Sequence, residues 1–308
     1  MAAKKETRPG ILGQRGEEIL KAMRFYRYMT ALDVCYLMYS PSSLNRVRSL
    51  LSELSGGGDF IGNQYLYRFR LPDVEMGRYR VYTLGSRGRD FLETELGISS
   101  AWYFRPEKVR HLSFGYIMHS LVLTRFLVAA HRWAGESNGQ FKIAEMRICY
   151  DLAGTPGNVS VGEGNKKEML PVVPDAWMVI EKKSKEGRGS FPVLLEIDRG
   201  TMYRQRFKKH VSARVEFVRS GGYEKLFGTK GVTIVYATAG EKAEEGEGRR
   251  RAIALWTMEA LAEMRLLRWA DLFRFCSVSY GELYKEKPFG RRVWYRPGEG
   301  EADALFEG

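Results

Sequence analysis

The chain has 308 residues, 44% of them apolar, which suits two modest domains or one large one, with a real core. Its net charge of +12 is uneven: residues 101–230 hold 22 basic against 13 acidic side chains, which fits a polyanion partner or a merely basic surface. Cys35, Cys149 and Cys276 are too scattered for a disulfide framework, no Cys/His spacing suits zinc, and no apolar run approaches a membrane span.

Residues 1–12 read as a polar, flexible arm without a signal-peptide core; with the reduced thiols this leads to an expected cytoplasmic setting. From Gly16 to Tyr28, Ile19, Leu20, Met23 and Tyr26 recur at helical spacing. Thr30 is a good N-cap for a second helix, Ala31 to Tyr39. Ser40-Pro41-Ser42-Ser43 starts a third, with Leu44, Val47, Leu50, Leu51 and Leu54 inward and Asn45, Arg46, Arg48 and Ser49 outward; Gly56-Gly57-Gly58 stops it. Two strand-like runs follow, Gln64 to Leu71 and Arg78 to Leu84, then a closing helix from Ser86 to Leu96.

Three helices and a basic hairpin are the winged-helix plan, assigned to residues 13–100. In that plan the third helix enters the DNA major groove and the hairpin touches phosphates. Asn45, Arg46 and Arg48 are then candidate groove residues, and Arg68, Arg70, Arg78 and Arg80 candidate phosphate contacts. The alternative is a winged helix used for protein pairing.

Residues 101–296 are expected to form a second domain. Ser113 to Trp133 is a long helix with an apolar face of Phe114, Ile117, Leu121, Leu127 and Val128; His119 on it reads as a packed core histidine. Phe141 to Tyr150 is a strand containing Glu145, and the Gly-rich stretch Asp151 to Glu168 a loop. Val172 to Lys182 and Gly189 to Asp198 are strands joined by a polar turn. Thr201 to Arg219 is a helix with Tyr203, Phe207, Val211, Val215 and Val218 inward. Gly231 to Thr238 is a strand, Glu241 to Arg251 a charged loop, Ala252 to Leu267 a helix and Phe275 to Tyr280 a strand. Arg291 to Arg296 reads equally as a nucleic-acid contact or a final strand, and residues 297–308 as an acidic, flexible tail.

Acids in two of these strands carry the chemistry. Pro174-Asp175-Ala176 and Leu195-Glu196-Ile197-Asp198 place carboxylates in apolar runs, where a buried charge needs a cation or several hydrogen bonds. Period-two alternation sets Glu196 and Asp198 on one face. The plainer readings are strand ends in water or a salt-bridge cluster involving Arg199.

The element order resembles the α/β, mixed-sheet core of the restriction-endonuclease-like fold, in an αβββαβ sequence. That resemblance implies a PD-(D/E)xK-type site in which Asp175 and Glu196 hold Mg2+ or Mn2+. Here Asp198 stands where the motif lysine belongs, giving a third candidate metal ligand and removing the local cation. Lys208 is taken as the catalytic substitute, with Arg204, Gln205 and Lys209 beside it. The whole plan, roughly Glu17 to Trp294, resembles the replication-relaxation family of plasmids and other mobile elements. The matching pieces are Tyr26 to Thr30, Arg46 to Leu54, Val81 to Leu84 with Gly88, His119, Pro174 to Ala176 and, most specific, Leu195 to Thr201. The resemblance implies double-stranded DNA as partner, with replication or transfer proteins and a homodimer as further expectations. The alternatives are an active endonuclease or nickase and a non-catalytic scaffold.

Overall fold

The computed structural model describes residues 12–56, 63–71, 80–99, 112–153, 157–161, 167–185, 187–240 and 242–306. It is a mixed α/β protein that divides into two compact units, residues 1–117 and 118–308. The division between the units falls at residues 117 and 118, within the helix expected from Ser113 to Trp133.

In the first unit α1 (Gln14–Tyr26) turns its Ile19, Leu20 and Met23 stripe inward. A two-residue strand β1 (Met29–Thr30) then leads into α2 (Ala31–Met38). Thr30 caps α2 through a capping box: its hydroxyl accepts from the Asp33 amide, and the buried Asp33 carboxylate accepts from the Thr30 amide at 2.5 Å. A 3-10 turn at Pro41–Ser43 precedes α3 (Leu44–Leu54), which buries Val47, Leu51 and Leu54 at i, i+4 and i+7. Strands β2 (Leu66–Arg70) and β3 (Arg80–Leu84) complete an antiparallel sheet in the order β1-β3-β2, and α4 (Ser86–Thr94) closes the unit.

The second unit opens with α5 (Phe114–Glu136). Among the described residues its sheet has seven strands: β4 (Phe141–Ile148), β7 (Ala176–Ser184), β8 (Gly187–Asp198), β9 (Thr233–Gly240), β10 (Phe273–Ser279), β11 (Trp294–Tyr295) and β12 (Ala302–Asp303), in the order β12-β11-β10-β9-β8-β7-β4. Strands β8, β9 and β10 run parallel and the other pairings are antiparallel. The parallel strands need crossovers, which α7 (Arg204–Arg219) and α9 (Ala243–Glu263) supply. Both helices pack on one face, where Phe207, Val211 and Val215 meet Trp177, Leu194, Tyr236, Phe273 and Phe275. The alternate residues Leu195, Ile197, Val235, Ala237 and Cys276 are buried on the other face. The strand β4 is an edge, kinked by a register shift between Ile143 and Glu145.

Several segments differ from the sequence expectation. Within Asp151–Glu168, expected as a loop, lie the end of α6 (Cys149–Leu152) and β5 (Gly157–Val161), which pairs with β6 (Glu168–Val172) as a separate two-stranded sheet. The charged stretch 241–251 is the N-terminal half of α9, not a loop. Glu247 pairs with Arg250 and Arg251 at helical spacing, and Gly246 sits so close to Ser277 and Thr238 that a Cβ would overlap them. Tyr203, expected inward, is 70% exposed. Between the two readings of Arg291 to Arg296, Trp294–Tyr295 forms a strand with Trp294 fully buried.

The C-terminal stretch is not a free tail up to residue 306. β12 pairs with β11, and Phe306 stacks on Trp133 and meets Phe141 and Phe191. Phe306→Ala is expected to cost about 3 kcal/mol, the usual range for losing a buried Phe. A urea-unfolding series checks this; an unchanged midpoint would show that the ring contributes nothing to the core.

Candidate functional site

Asp175 lies one residue before β7. The last ladder pair is Ala176 with Leu195, so one step further Asp175 faces Glu196 across the two strands. The backbone there is held by the Cys149 amide, which donates to the Asp175 carbonyl at 2.8 Å. The juxtaposition expected of Asp175 and Glu196 is thus present, but each acid already has protein partners.

The Asp175 carboxylate accepts from the Ile197 amide at 2.8 Å through Oδ2, and its Oδ1 lies 2.9 Å from Nε2 of His119 on α5. His119 is therefore a site residue rather than a core histidine. Burial pulls its pKa down, but the hydrogen bond and charge of Asp175 prevail, and the net shift is upward. Glu196 is buried and points at α7, where Arg214 donates to its Oε1 from Nε at 2.8 Å and holds Nη2 2.7 Å from the same oxygen as an ion pair. Burial pushes Glu196 up to about 7 against the pull of Arg214, and the facing Asp175 adds to the rise. Asp198 is buried as well. It accepts from the Gly200 amide and from Arg249 on α9, whose Nη2 lies 2.8 Å away.

Two further polar groups meet this cluster. Tyr236 stands beside Glu196 in the parallel register of β8 and β9, fully buried, and its hydroxyl makes no hydrogen bond. His210 of α7 has an unpartnered Nδ1. Burial first, then Arg214 and Arg206, drive its pKa down to about 3, so it is neutral at physiological pH.

The lysine expected at the acids does not reach them. Lys208 is buried against α9, where its ammonium pairs with Glu263 and lies 4.0 Å from Glu259. Arg204 pairs with Glu259, Lys209 with Glu168, and Gln205 is exposed. Glu145 pairs with Arg147 on the edge strand, away from the cluster.

A divalent cation needs several carboxylate oxygens free to converge. Both Asp175 oxygens, both Asp198 oxygens and Oε1 of Glu196 are engaged with N–H donors, and among the described residues no three His, Cys, Asp or Glu are grouped to hold a metal. In this arrangement Asp175, Glu196 and Asp198 do not fit Mg2+ or Mn2+. The cluster is three carboxylates held by one histidine and two arginines, drawn from α5, α7 and α9.

The first unit presents a different surface. Asn45, Arg46 and Arg48 are exposed along α3, with Arg48 donating to Asn45 at 3.3 Å. Arg46 lines an open cleft with Arg15 and Arg87. On the hairpin, Arg70 and Arg80 are exposed and directly opposite one another. Arg68 differs from its expected role: it is 8% exposed and lies opposite Tyr82, so it is unavailable to a phosphate. Arg78 lies outside the described residues.

No protein-family model, curated protein or solved structure matches the chain. No helix among the described residues is long and apolar enough to cross a membrane.

Two outcomes follow from the acid cluster. Arg214→Met leaves Glu196 buried without its cation and is expected to cost about 3–5 kcal/mol at neutral pH. Adding Glu196→Gln should restore most of that loss in chemical denaturation; equal loss in the double variant would mean that Arg214 matters for packing rather than charge. For His119 the folded-state pKa lies above the unfolded one. Its contribution is therefore fully present below about pH 6.5 and is lost as pH rises through the raised value. The stability difference between wild type and His119→Gln should shrink from pH 6 toward pH 9, and a pH-independent difference would contradict the ion pair.

Proposed function

We propose that the chain is a double-stranded-DNA-binding protein of a plasmid or other mobile element, acting in the cytoplasm in replication, relaxation or mobilisation. The observation that carries the DNA reading is the exposed Arg70–Arg80 pair. Like charges placed directly opposite destabilise a hairpin, and a phosphate between them converts the repulsion into two charge-assisted contacts. The open arginine face of α3 lies in the same unit.

The element order α1-β1-α2-α3-β2-β3 with strand order β1-β3-β2 supports a winged helix, with α3 as reader and β2–β3 as wing. In the second unit, α5, β4, β7, β8, α7 and β9 follow the αβββαβ order of the restriction-endonuclease-like fold. The cations on Asp175, Glu196 and Asp198 favour a nuclease-like unit that binds without cutting over a Mg2+-dependent nickase. Replication or transfer proteins and a second copy of the chain are the further proposed partners; the assignment to mobile elements rests on the sequence resemblance.

One set of measurements tests this reading. The chain should bind duplex DNA with strong salt dependence. Arg46→Ala or Arg48→Ala should reduce discrimination between a selected site and random sequence by about 1–3 kcal/mol per lost base contact. Arg70→Ala with Arg80→Ala should weaken binding to all sequences alike. Supercoiled plasmid should stay intact with Mg2+ or Mn2+. Nicking that disappears in Glu196→Ala would overturn the non-cutting assignment, and absence of DNA binding at low salt would overturn the reading as a whole.

A further inference from the structure

The hairpin joining β7 and β8 projects beyond both neighbours in its sheet. Pairing of β7 with β4 ends at Lys182, and pairing of β8 with β9 starts only at Val193. Past a last backbone hydrogen bond from the Lys183 amide to the Gln140 carbonyl, the two strands run on as a ribbon, out to Ser184 opposite Gly187. The segment 182–190 reads Lys-Lys-Ser-Lys-Glu-Gly-Arg-Gly-Ser. Lys183, Lys185 and Arg188 are exposed. Lys183 lies directly opposite Arg188, repeating in the second unit the facing-cation arrangement of Arg70 and Arg80. Among the described residues the tip has one acid partner, Glu181, 3.2 Å from Arg188, while Lys182 is tied to the Phe306 carbonyl.

This arrangement costs hairpin stability, because like charges directly opposite repel. Nothing apolar accompanies it: the large exposed hydrophobics of the described residues, Tyr116, Met169, Tyr203, Leu255 and Leu267, all lie elsewhere. A peptide partner needs apolar anchors at the centre of its contact, whereas a phosphate backbone is held by cations alone. Gly187, Gly189 and the exposed Ser184 and Ser190 keep the ribbon slim and polar.

We infer that the β7–β8 ribbon tip is a second DNA-binding element, gripping the phosphate backbone through Lys183, Lys185 and Arg188 without reading sequence. The inference rests on the DNA-binding reading above and names the residues of the second unit that would make its DNA contact. Each phosphate neutralised releases a counterion, so each cation contributes about 0.9 to the slope of log K against log salt.

The test is the triple variant Lys183→Ala, Lys185→Ala, Arg188→Ala in the full chain, titrated by fluorescence anisotropy into a random-sequence duplex over a salt series. The slope should fall by about 2–3 and affinity near 0.1 M salt by at least tenfold. The preference for a selected site over random DNA should be unchanged, and the thermal melt should not fall. A companion variant, Lys183→Arg with Lys185→Arg, keeps the charge and should keep the slope. Wild-type DNA binding with an unaltered slope in the triple variant overturns the ribbon assignment while leaving the DNA reading intact. A loss confined to an acidic polypeptide probe such as polyglutamate also overturns it. A wild-type chain that binds no duplex at low salt overturns both.

Discussion

The buried ion pair between Glu196 and Arg214 sets the terms for the second unit. Both side chains are nearly inaccessible, and neither is tolerable there alone: an unpartnered buried charge costs several kcal/mol. The pair fixes the end of β8 to the middle of α7, and so fixes the rotation of that helix on the sheet. Around it the same logic repeats. Asp175 ties the start of β7 to α5 through His119, and Asp198 ties the strand end to α9 through Arg249. Three helices are thus referenced to one strand end by charge, while their apolar stripes supply most of the burial energy.

That arrangement bears directly on chemistry. A carboxylate that accepts two hydrogen bonds from a guanidinium is an acceptor already committed. Metal-dependent hydrolysis asks the same oxygens to converge on a cation, and the cluster instead disperses them among His119, Arg214 and Arg249. On the surface, by contrast, Arg46 and Arg48 of α3 and Arg70 and Arg80 of the β2–β3 hairpin are exposed and have no carboxylate partner among the described residues.

Much of this was legible in the sequence, and the failures have identifiable causes. The apolar run and period-two spacing located both acid-bearing strands, and their antiparallel register brought Asp175 opposite Glu196. Arg214 escaped because the apolar stripe Tyr203, Phe207, Val211, Val215 and Val218 passes over it. Position 214 lies seven residues after Phe207, on the same face, and a charged residue inside an apolar stripe was the available signal. Arg249 was lost with the segment 241–251, where Glu245 has Arg249 at i+4 and Glu247 has Arg250 and Arg251 at i+3 and i+4, a spacing that spells a helix rather than a loop. Arg68 misled because residues 66–68 are buried on both faces of β2, so alternation there does not separate inside from outside.

The margins of the seven-stranded sheet carry one more consequence. One border, β4, is kinked and bears Lys142, Glu145 and Arg147; the opposite border, β12, is only two residues long. A straight, apolar border would offer its free amides and carbonyls to a neighbouring molecule. Irregular, charged or very short borders give no such template, so crowded copies of this chain resist fusing their sheets into fibres.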